Sequence, residues 1–354
     1  MQVVDCFGSP TERGRIHGET LRKEITDALG KWETATIKGL GPRAPRNIDT
    51  YCTDFLAGTD LMQRAATLTP DLLKEMEGIA DGAGQPLARI AAYNLMDEQW
   101  WYDIAPDAPP PGCSLVAIPD KGGHVLAQNM DLPGFMDGSQ VILRLGGDDL
   151  PQTIILSAAG MIGLTGANNA GVAVGVNTLL MLRHKTNGLP VAFALRHALA
   201  ARSSDDALAR LARIPHASGQ HYAVVTRYGV GSVECSGTGC VPLMVKEGRL
   251  LHTNHPLISE DVDTSALARL DKAGFNASSH ERLEWLKSQV IQLPSEVQRL
   301  FDVPDAPICM RPATHRGSGT FASVFYEMRE DVTIRMAQGA ASDRKWQDVC
   351  WTNL

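Results

Sequence analysis

The chain has 354 residues, 44% apolar and 21% charged, enough to bury a large core as one extended domain or two ordinary ones. Its formal charge of -7 comes from interspersed acids and bases, which excludes both a nucleic-acid footprint and a basic membrane-binding face. No secretory signal pattern, membrane-length apolar run or Ser-Lys-Leu terminus is present, so a cytoplasmic location is expected. The cysteines (Cys6, Cys52, Cys113, Cys235, Cys240, Cys309 and Cys350) are scattered without CxxC spacing, so neither a disulfide framework nor a zinc site is expected.

The first hundred residues favour helix. Thr69, Pro70 and Asp71 offer a cap and a first-turn proline, with Leu72, Met76, Ile79, Ala80 and Ala83 following at helical spacing until Gly82 and Gly84 stop the run. A second helix is expected from about Leu87 to Glu98, reaching Trp100 and Trp101, before a loop from Ala105 to Gly112 that contains four prolines. Beyond that loop the pattern turns to strands: Ser114 to Ile118 and Val125 to Met130 read as a hairpin around Gly122 and Gly123. Further strands are expected at Val141 to Leu145, Thr153 to Leu156 and Gly171 to Asn177, then helices at Pro190 to Ala200 and Ser204 to Ile214. Strands resume at Tyr222 to Arg227, Gly231 to Cys235 and Arg249 to Asn254, a charged helical region spans Thr264 to Leu300, and a hairpin of Ala322 to Met328 and Val332 to Ala337 closes the chain. Sheets covered by helices make a layered α+β fold.

Cys113 follows three prolines and Gly112 at the start of a strand, where a loop meets a rigid sheet edge. By pattern alone it reads as a small buried residue. If the Gly112-Cys113 bond were cut, the new α-amine, with an ordinary pKa of about 7.7 to 8.0, becomes a general base for the thiol of the same residue.

The ordered motifs Gly112-Cys113-Ser114, Leu126-Ala127-Gln128-Asn129-Met130-Asp131, Ala159-Gly160-Met161-Ile162-Gly163, Asn169-Ala170-Gly171-Val172-Ala173-Val174, Asn177 and His252-Thr253-Asn254-His255 resemble the acyl-CoA:6-aminopenicillanic acid acyltransferases. That is the isopenicillin-N acyltransferase family, within the N-terminal-nucleophile hydrolases. Gly14-Arg15-Ile16-His17-Gly18 is similar to its N-terminal helix signature, so the resemblance covers most of the chain. It implies a four-layer αββα sandwich and self-cleavage before the cysteine, giving a mostly helical chain of 1–112 and a catalytic chain of 113–354 that stay together.

It further implies that Cys113 is the nucleophile, forming a thioester that water or an acceptor amine resolves, with no cofactor and no metal. Asp131 maps onto a carboxylate near the α-amine; by pattern alone it is a turn-capping aspartate before Leu132 and Pro133. Asn254 maps onto an oxyanion-hole donor, and Asn177 onto a residue that fixes substrate or amine. Losing one such donor typically costs about 2.7 to 4 kcal/mol of transition-state stabilisation. Arg316 and Thr320 match a family segment before the last hairpin, although the glycine spacing of Gly317-Ser318-Gly319 differs and an exposed basic loop is an equal reading.

Trp101 and Phe135, with Trp100 and Met136, are candidates for an apolar acyl pocket and equally for core. His252 and His255 on a strand and its end place their rings on opposing faces, which argues against a metal, and His17 and His197 read as structural. The activity implied is an amidohydrolase acting on a small N-acyl substrate. Acyl-CoA-dependent transfer to an amine is the alternative, and an unprocessed binding protein of the same fold or a cysteine-histidine hydrolase are readings of other kinds. A homo-oligomer is left open.

Overall fold

The computed structural model describes residues 1–103, 112–311, 317–339 and 345–352. After a short strand, β1 (Gln2–Phe7), Ser9 caps α1 (Pro10–Thr20) through a reciprocal bond with Glu12. Then follow α2 (Arg22–Leu40), α3 (Ile48–Ala57), α4 (Leu61–Leu68), α5 (Pro70–Ala83), α6 (Leu87–Asn94) and α7 (Met96–Tyr102). Helix α5 begins at Pro70 as its spacing predicts, but the Thr69 hydroxyl bonds to Ala65 O in the preceding helix instead of capping α5. Gly82 lies inside the helix, and Gly84, at φ +66°, is the left-handed residue that ends it.

The single helix expected from Leu87 onward is two. Asn94 donates to the carbonyls of Ile90 and Gly160 and accepts from Ile162 N, so its amide is committed across the fold where the helix breaks. Helices α1 and α5 approach so closely that only glycine fits between them. A Cβ on Gly14 would lie 1.9 Å from Glu75 O, and one on Gly78 would lie 2.3 Å from Thr11 O. The spacing of Gly14 with Gly18, and of Gly78 with Gly82, puts each pair on one helix face.

Two sheets carry the rest, built from β2 (Ser114–Asp120), β3 (Gly123–Pro133), β4 (Gln140–Gly147), β5 (Leu150–Ala158), β6 (Thr165–Asn168), β7 (Ala173–Thr178), β8 (Gln220–Thr226), β9 (Gly229–Cys235), β10 (Cys240–Pro242), β11 (Leu250–His252), β12 (Ser318–Met328), β13 (Thr333–Gln338) and β14 (Gln347–Asp348). Among the described residues one sheet runs β1-β4-β5-β6-β7-β8-β9-β10 and the other β11-β2-β3-β12-β13-β14. They face each other where Gly175 meets Leu115 and Gln128, and where Val176 N donates to Gln128 Oε1 at 3.3 Å. Helices α8 (Val191–Leu199) and α9 (Ser204–Arg213) cover the larger sheet; α10 (Thr264–Lys272) leads into α11 (Phe275–Ser288) and α12 (Pro294–Phe301), which cover the smaller. The layers are therefore αββα.

Strand alternation explains the outer layer. Val116, Ile118, Val125, Ala127 and Phe325 point away from the partner sheet and bury against Leu286, Val297 and Phe301. Each such large apolar side chain contributes about 1.5 to 3 kcal/mol on burial. Strands β1, β6 and β10 are short pieces absent from the sequence reading. β1 pairs in parallel with β4, Gln2 opposite Val141, a contact no local pattern announces.

Gly78→Ala is expected to lower the unfolding free energy by about 1 to 3 kcal/mol, because its methyl would meet the α1 backbone. Gly30→Ala, in α2 with open space around it, is expected to raise it by about 0.5 to 1 kcal/mol. Urea denaturation of the two variants checks both signs.

Candidate active site

Cys113 sits just before β2 and is 6% exposed. Its N–H donates to Asn254 Oδ1 at 2.6 Å, its carbonyl accepts from Arg282 Nη1 at 2.6 Å, and its sulfur lies 4.0 Å from Met130 Sδ. Arg282 also donates to Ser114 Oγ at 3.1 Å and to Asn254 Oδ1 at 3.0 Å. These bonds crowd Gly112: a Cβ there would lie 2.4 Å from Arg282 Nη2 and 2.8 Å from Asn254 Oδ1. A larger residue before the cysteine would have to displace the Arg282 guanidinium and the Asn254 amide that hold Cys113. Burial, and then the neighbouring Asp131 carboxylate, push the Cys113 thiol up to about 12.

Helix α11 sets the pair that holds Cys113. Its Ser279 hydroxyl accepts from Asn254 N at 2.8 Å, and Arg282 reaches the Asn254 side chain from the next turn. Asn254 Nδ2 donates to Thr178 O at 3.0 Å, which fixes the amide orientation. From the other side, Glu234 accepts from the N–H groups of Leu257, Ile258 and Ser259 and from His252 Nε2 at 2.9 Å, pinning the segment on both flanks of Asn254. Burial by itself would raise Glu234, but the His252 bond and the backbone N–H groups outweigh it and hold the carboxylate below its usual range.

Asp131, on β3, accepts from Thr320 Oγ1 at 2.7 Å; Thr320 lies opposite it on β12, beside a register shift, and accepts from Met310 N at 3.0 Å. Cys113 and Asp131 both line one cavity of about 70 Å³, with Met96, Trp100, Met161 and Leu195 among its apolar walls. Cys113, Asp131, Asn254 and Thr320 are thereby brought together. Asn177 is not on the cavity wall, although Val176 and Thr178 beside it are. Its Oδ1 bonds to His221 Nδ1 at 3.0 Å, and the His221 ring stacks on His252 at 3.6 Å, so Asn177 joins the Asn254 support through two imidazoles. Its Nδ2 is buried with no hydrogen-bond partner among the described residues.

Trp101 and Phe135 do not line this cavity. Trp101 stacks on His184 and donates to Ser218 Oγ at 2.9 Å; Phe135 borders an open groove with Lys31 and Lys38 of α2. The indole on the wall is Trp100. Arg316 lies outside the described residues. His252 pairs with Glu234, while His255 bonds to Ser279 Oγ at 2.8 Å and packs against His280. His17 accepts from Gly160 N at 3.0 Å, and burial pulls its pKa down to about 4.

Two groups went unread in the sequence. Arg282 sits among many charges in a helical stretch, and the only signal is its place on the buried stripe of Phe275, Ser279, Leu283 and Leu286. Asp97 reaches the cavity from α7, accepting from Thr178 Oγ1 at 2.9 Å and Gln220 Nε2 at 2.7 Å. Next to it, Glu98 accepts from Ser218 Oγ at 2.8 Å and Val191 N at 3.0 Å, while its Oε2 is buried without a hydrogen-bond partner among the described residues. Burial raises both carboxyls, which favours their protonated forms in the folded chain.

A carboxyl raised on folding contributes stability that is present below the ordinary carboxyl range near pH ~4 and lost as pH rises through the raised value. Melting temperature is therefore expected to fall less between about pH 5 and about pH 9 in Glu98→Gln than in the unchanged chain. Identical slopes would show that Glu98 carries no such linkage.

The family model described as Acyl-coenzyme A:6-aminopenicillanic acid acyl-transferase matches residues 119–341. The acyl-coenzyme A:6-aminopenicillanic-acid-acyltransferase 40 kDa form of Emericella nidulans is 27% identical over 345 residues, covering 96% of this chain and 93% of that one. Among solved structures, a conjugated bile acid hydrolase variant from Clostridium perfringens aligns with a TM-score of 0.41 and 12% identity, covering 68% of this chain and 97% of that one. Penicillin V acylase from Agrobacterium tumefaciens aligns with a TM-score of 0.39 and 15% identity, covering 67% and 86%. With the family model spanning most of the chain, this protein belongs to the acyl-coenzyme A:6-aminopenicillanic acid acyl-transferase family.

Proposed function

We propose that the chain is an autoproteolytic cysteine amidohydrolase that cuts a small N-acyl amide through a thioester on Cys113. The observation that carries this reading is the 2.6 Å bond from Cys113 N to Asn254 Oδ1, with Arg282 on the carbonyl of the same residue. Cleavage between Gly112 and Cys113 turns that N–H into an amine already held by a neutral acceptor. In the intact chain the thiol is buried and strongly disfavoured as thiolate, so it needs a local base, and the freed amine is one.

Cys113 Sγ attacks the acyl carbonyl while its proton passes to the amine; the amine returns the proton to the leaving nitrogen, and the C–N bond breaks. Water, deprotonated by the same amine, then attacks the thioester carbonyl, releasing the carboxylic acid and restoring the thiol. Asn254 supplies a neutral amide group beside Cys113, with Asn177 supporting it through His221 and His252, Asp131 with Thr320 orients the ammonium or the substrate amine, and the apolar wall of Met96, Met161 and Leu195 receives the acyl group.

The two products, 1–112 and 113–354, stay associated in this reading. β1 pairs with β4, Glu75 is bonded by Arg196 at 2.7 Å, and His17 holds Gly160, so buried contacts cross between them. A second reading, transfer of an acyl group from a CoA thioester to an amine, draws on the 27% identity to the fungal acyltransferase along nearly the whole chain. The two differ in the acyl donor, an amide or a CoA thioester, and in whether water or an amine resolves the Cys113 thioester.

Intact mass of the purified protein under denaturing conditions is expected to show two fragments split after Gly112, and a single full-length mass for Cys113→Ala. A full-length mass for both overturns the self-cleaving mechanism and favours an unprocessed binding protein or a hydrolase that works without self-cleavage. On processed protein, Asn254→Leu is expected to lower kcat by about 10²- to 10³-fold on the best substrate of an N-acyl amide panel. Product analysis with and without an amine acceptor and an acyl-CoA separates hydrolysis from transfer.

A further inference from the structure

We infer that His216, Cys235 and Cys240 form a binding site for a soft, thiophilic divalent cation of the zinc class, outside the Cys113 site. None of the three lines the Cys113 cavity. Cys235 ends β9 and Cys240 begins β10, directly opposite each other across an antiparallel pair, and Ser236 N bonds to Gly239 O at 2.8 Å to close the turn between them. His216 arrives from the segment after α9, which is held by Leu189 N on Pro215 O at 2.7 Å and Ala217 N on Leu189 O at 3.1 Å. One ligand atom from each of the three side chains lies within 4.8 Å of the others.

The histidine gives the second observation. His216 is 2% exposed, and its Nε2 lies 2.9 Å from the carbonyl of Leu211. A carbonyl only accepts, so Nε2 carries the proton and Nδ1 presents a bare lone pair. Nδ1 is buried with no hydrogen-bond partner among the described residues. A ring nitrogen bonded to a backbone carbonyl, with the other nitrogen left open, is how a metal-binding histidine is oriented. Cys235 and Cys240 are free thiols.

Charge and access fit as well. Two thiolates neutralise a divalent cation, so the occupied cluster adds no net charge to a buried region. Loading exchanges two thiol protons for the ion, with no change of oxidation state. Cys235 is fully buried and Cys240 is partly exposed, which leaves an entry side where water completes a tetrahedral set. The bound ion would tie β10, an edge strand, to the connection between α9 and β8.

The test uses full-length Cys113→Ala, which removes the nucleophile thiol, purified with reductant and then loaded with zinc(II) alone. After desalting, about one equivalent of zinc is expected to remain, with about two protons released per ion. Titration with cadmium(II) is expected to give a thiolate-to-metal charge-transfer band. Cys240→Ser, at the partly exposed position, is expected to bind zinc at least about tenfold more weakly while keeping its thermal melt. Absence of retained zinc in the Cys113→Ala protein, which carries all three ligands, overturns the proposal without relying on any ligand variant. Equal retention by Cys240→Ser overturns it too, as does recovery of a Cys235–Cys240 disulfide from protein purified without reductant, which would make the pair a redox couple instead.

Discussion

The buried guanidinium of Arg282 is the constraint around which the site is arranged. It is 1% exposed; its Nη1 and Nη2 donate to Cys113 O, Ser114 Oγ and Asn254 Oδ1, while its Nε is buried with no hydrogen-bond partner among the described residues, and these bonds join α11, the head of β2 and the segment after β11 at one point. Burial lowers its pKa, against the pull of the nearby Asp131 carboxylate, so its place in the core depends on its bonds to Cys113 O, Ser114 Oγ and Asn254 Oδ1. By the same crowding, a Cβ at Gly112 would displace the Arg282 and Asn254 side-chain ends. One cation therefore fixes both the residue proposed as nucleophile and the bond proposed to be cut.

Around that point the molecule uses polar groups that are themselves held. Asn254 is fixed by Ser279, Thr178 and Arg282, and its chain segment by Glu234. The stacked pair of His221 and His252 carries this support across to Asn177 in the larger sheet. Burial and the adjacent His252 keep His221 well below its usual pKa, which suits a neutral spacer between two amides. Such a framework holds donors and acceptors without reorganisation, the property an oxyanion site needs.

The cavity is shared between the two parts of the chain. Asp97 and Trp100 come from α7, before Gly112, whereas Cys113, Asp131 and Thr178 come from after it. Asp97 is bonded to Thr178 and Gln220, and Glu98 to Ser218 and Val191, so α7 is docked onto the larger sheet by buried carboxyls as well as by apolar packing. If the chain is cut before Cys113, the first part still builds one wall of the pocket.

Local periodicity in the sequence was enough to place α5, α8, α9, the β2–β3 hairpin and the final β12–β13 hairpin, because those elements obey spacing rules within a dozen residues. The motif around Cys113, with Asp131 and Asn254, could be read by resemblance, since each lies in a short stretch of recognisable order. Tertiary structure decided the rest. The parallel pairing of β1 with β4, the glycine contact of α1 with α5, and the break at Asn94 all depend on partners many residues away. Arg282 and Asp97 look like ordinary helical charges until burial removes their water and leaves Cys113, Asn254 and Thr178 as their partners. Likewise, His216 carries no signal in its own segment; it meets Cys235 and Cys240 because the chain after α9 packs against the β9–β10 edge, and distance in space, not in sequence, sets what a ligand atom can reach.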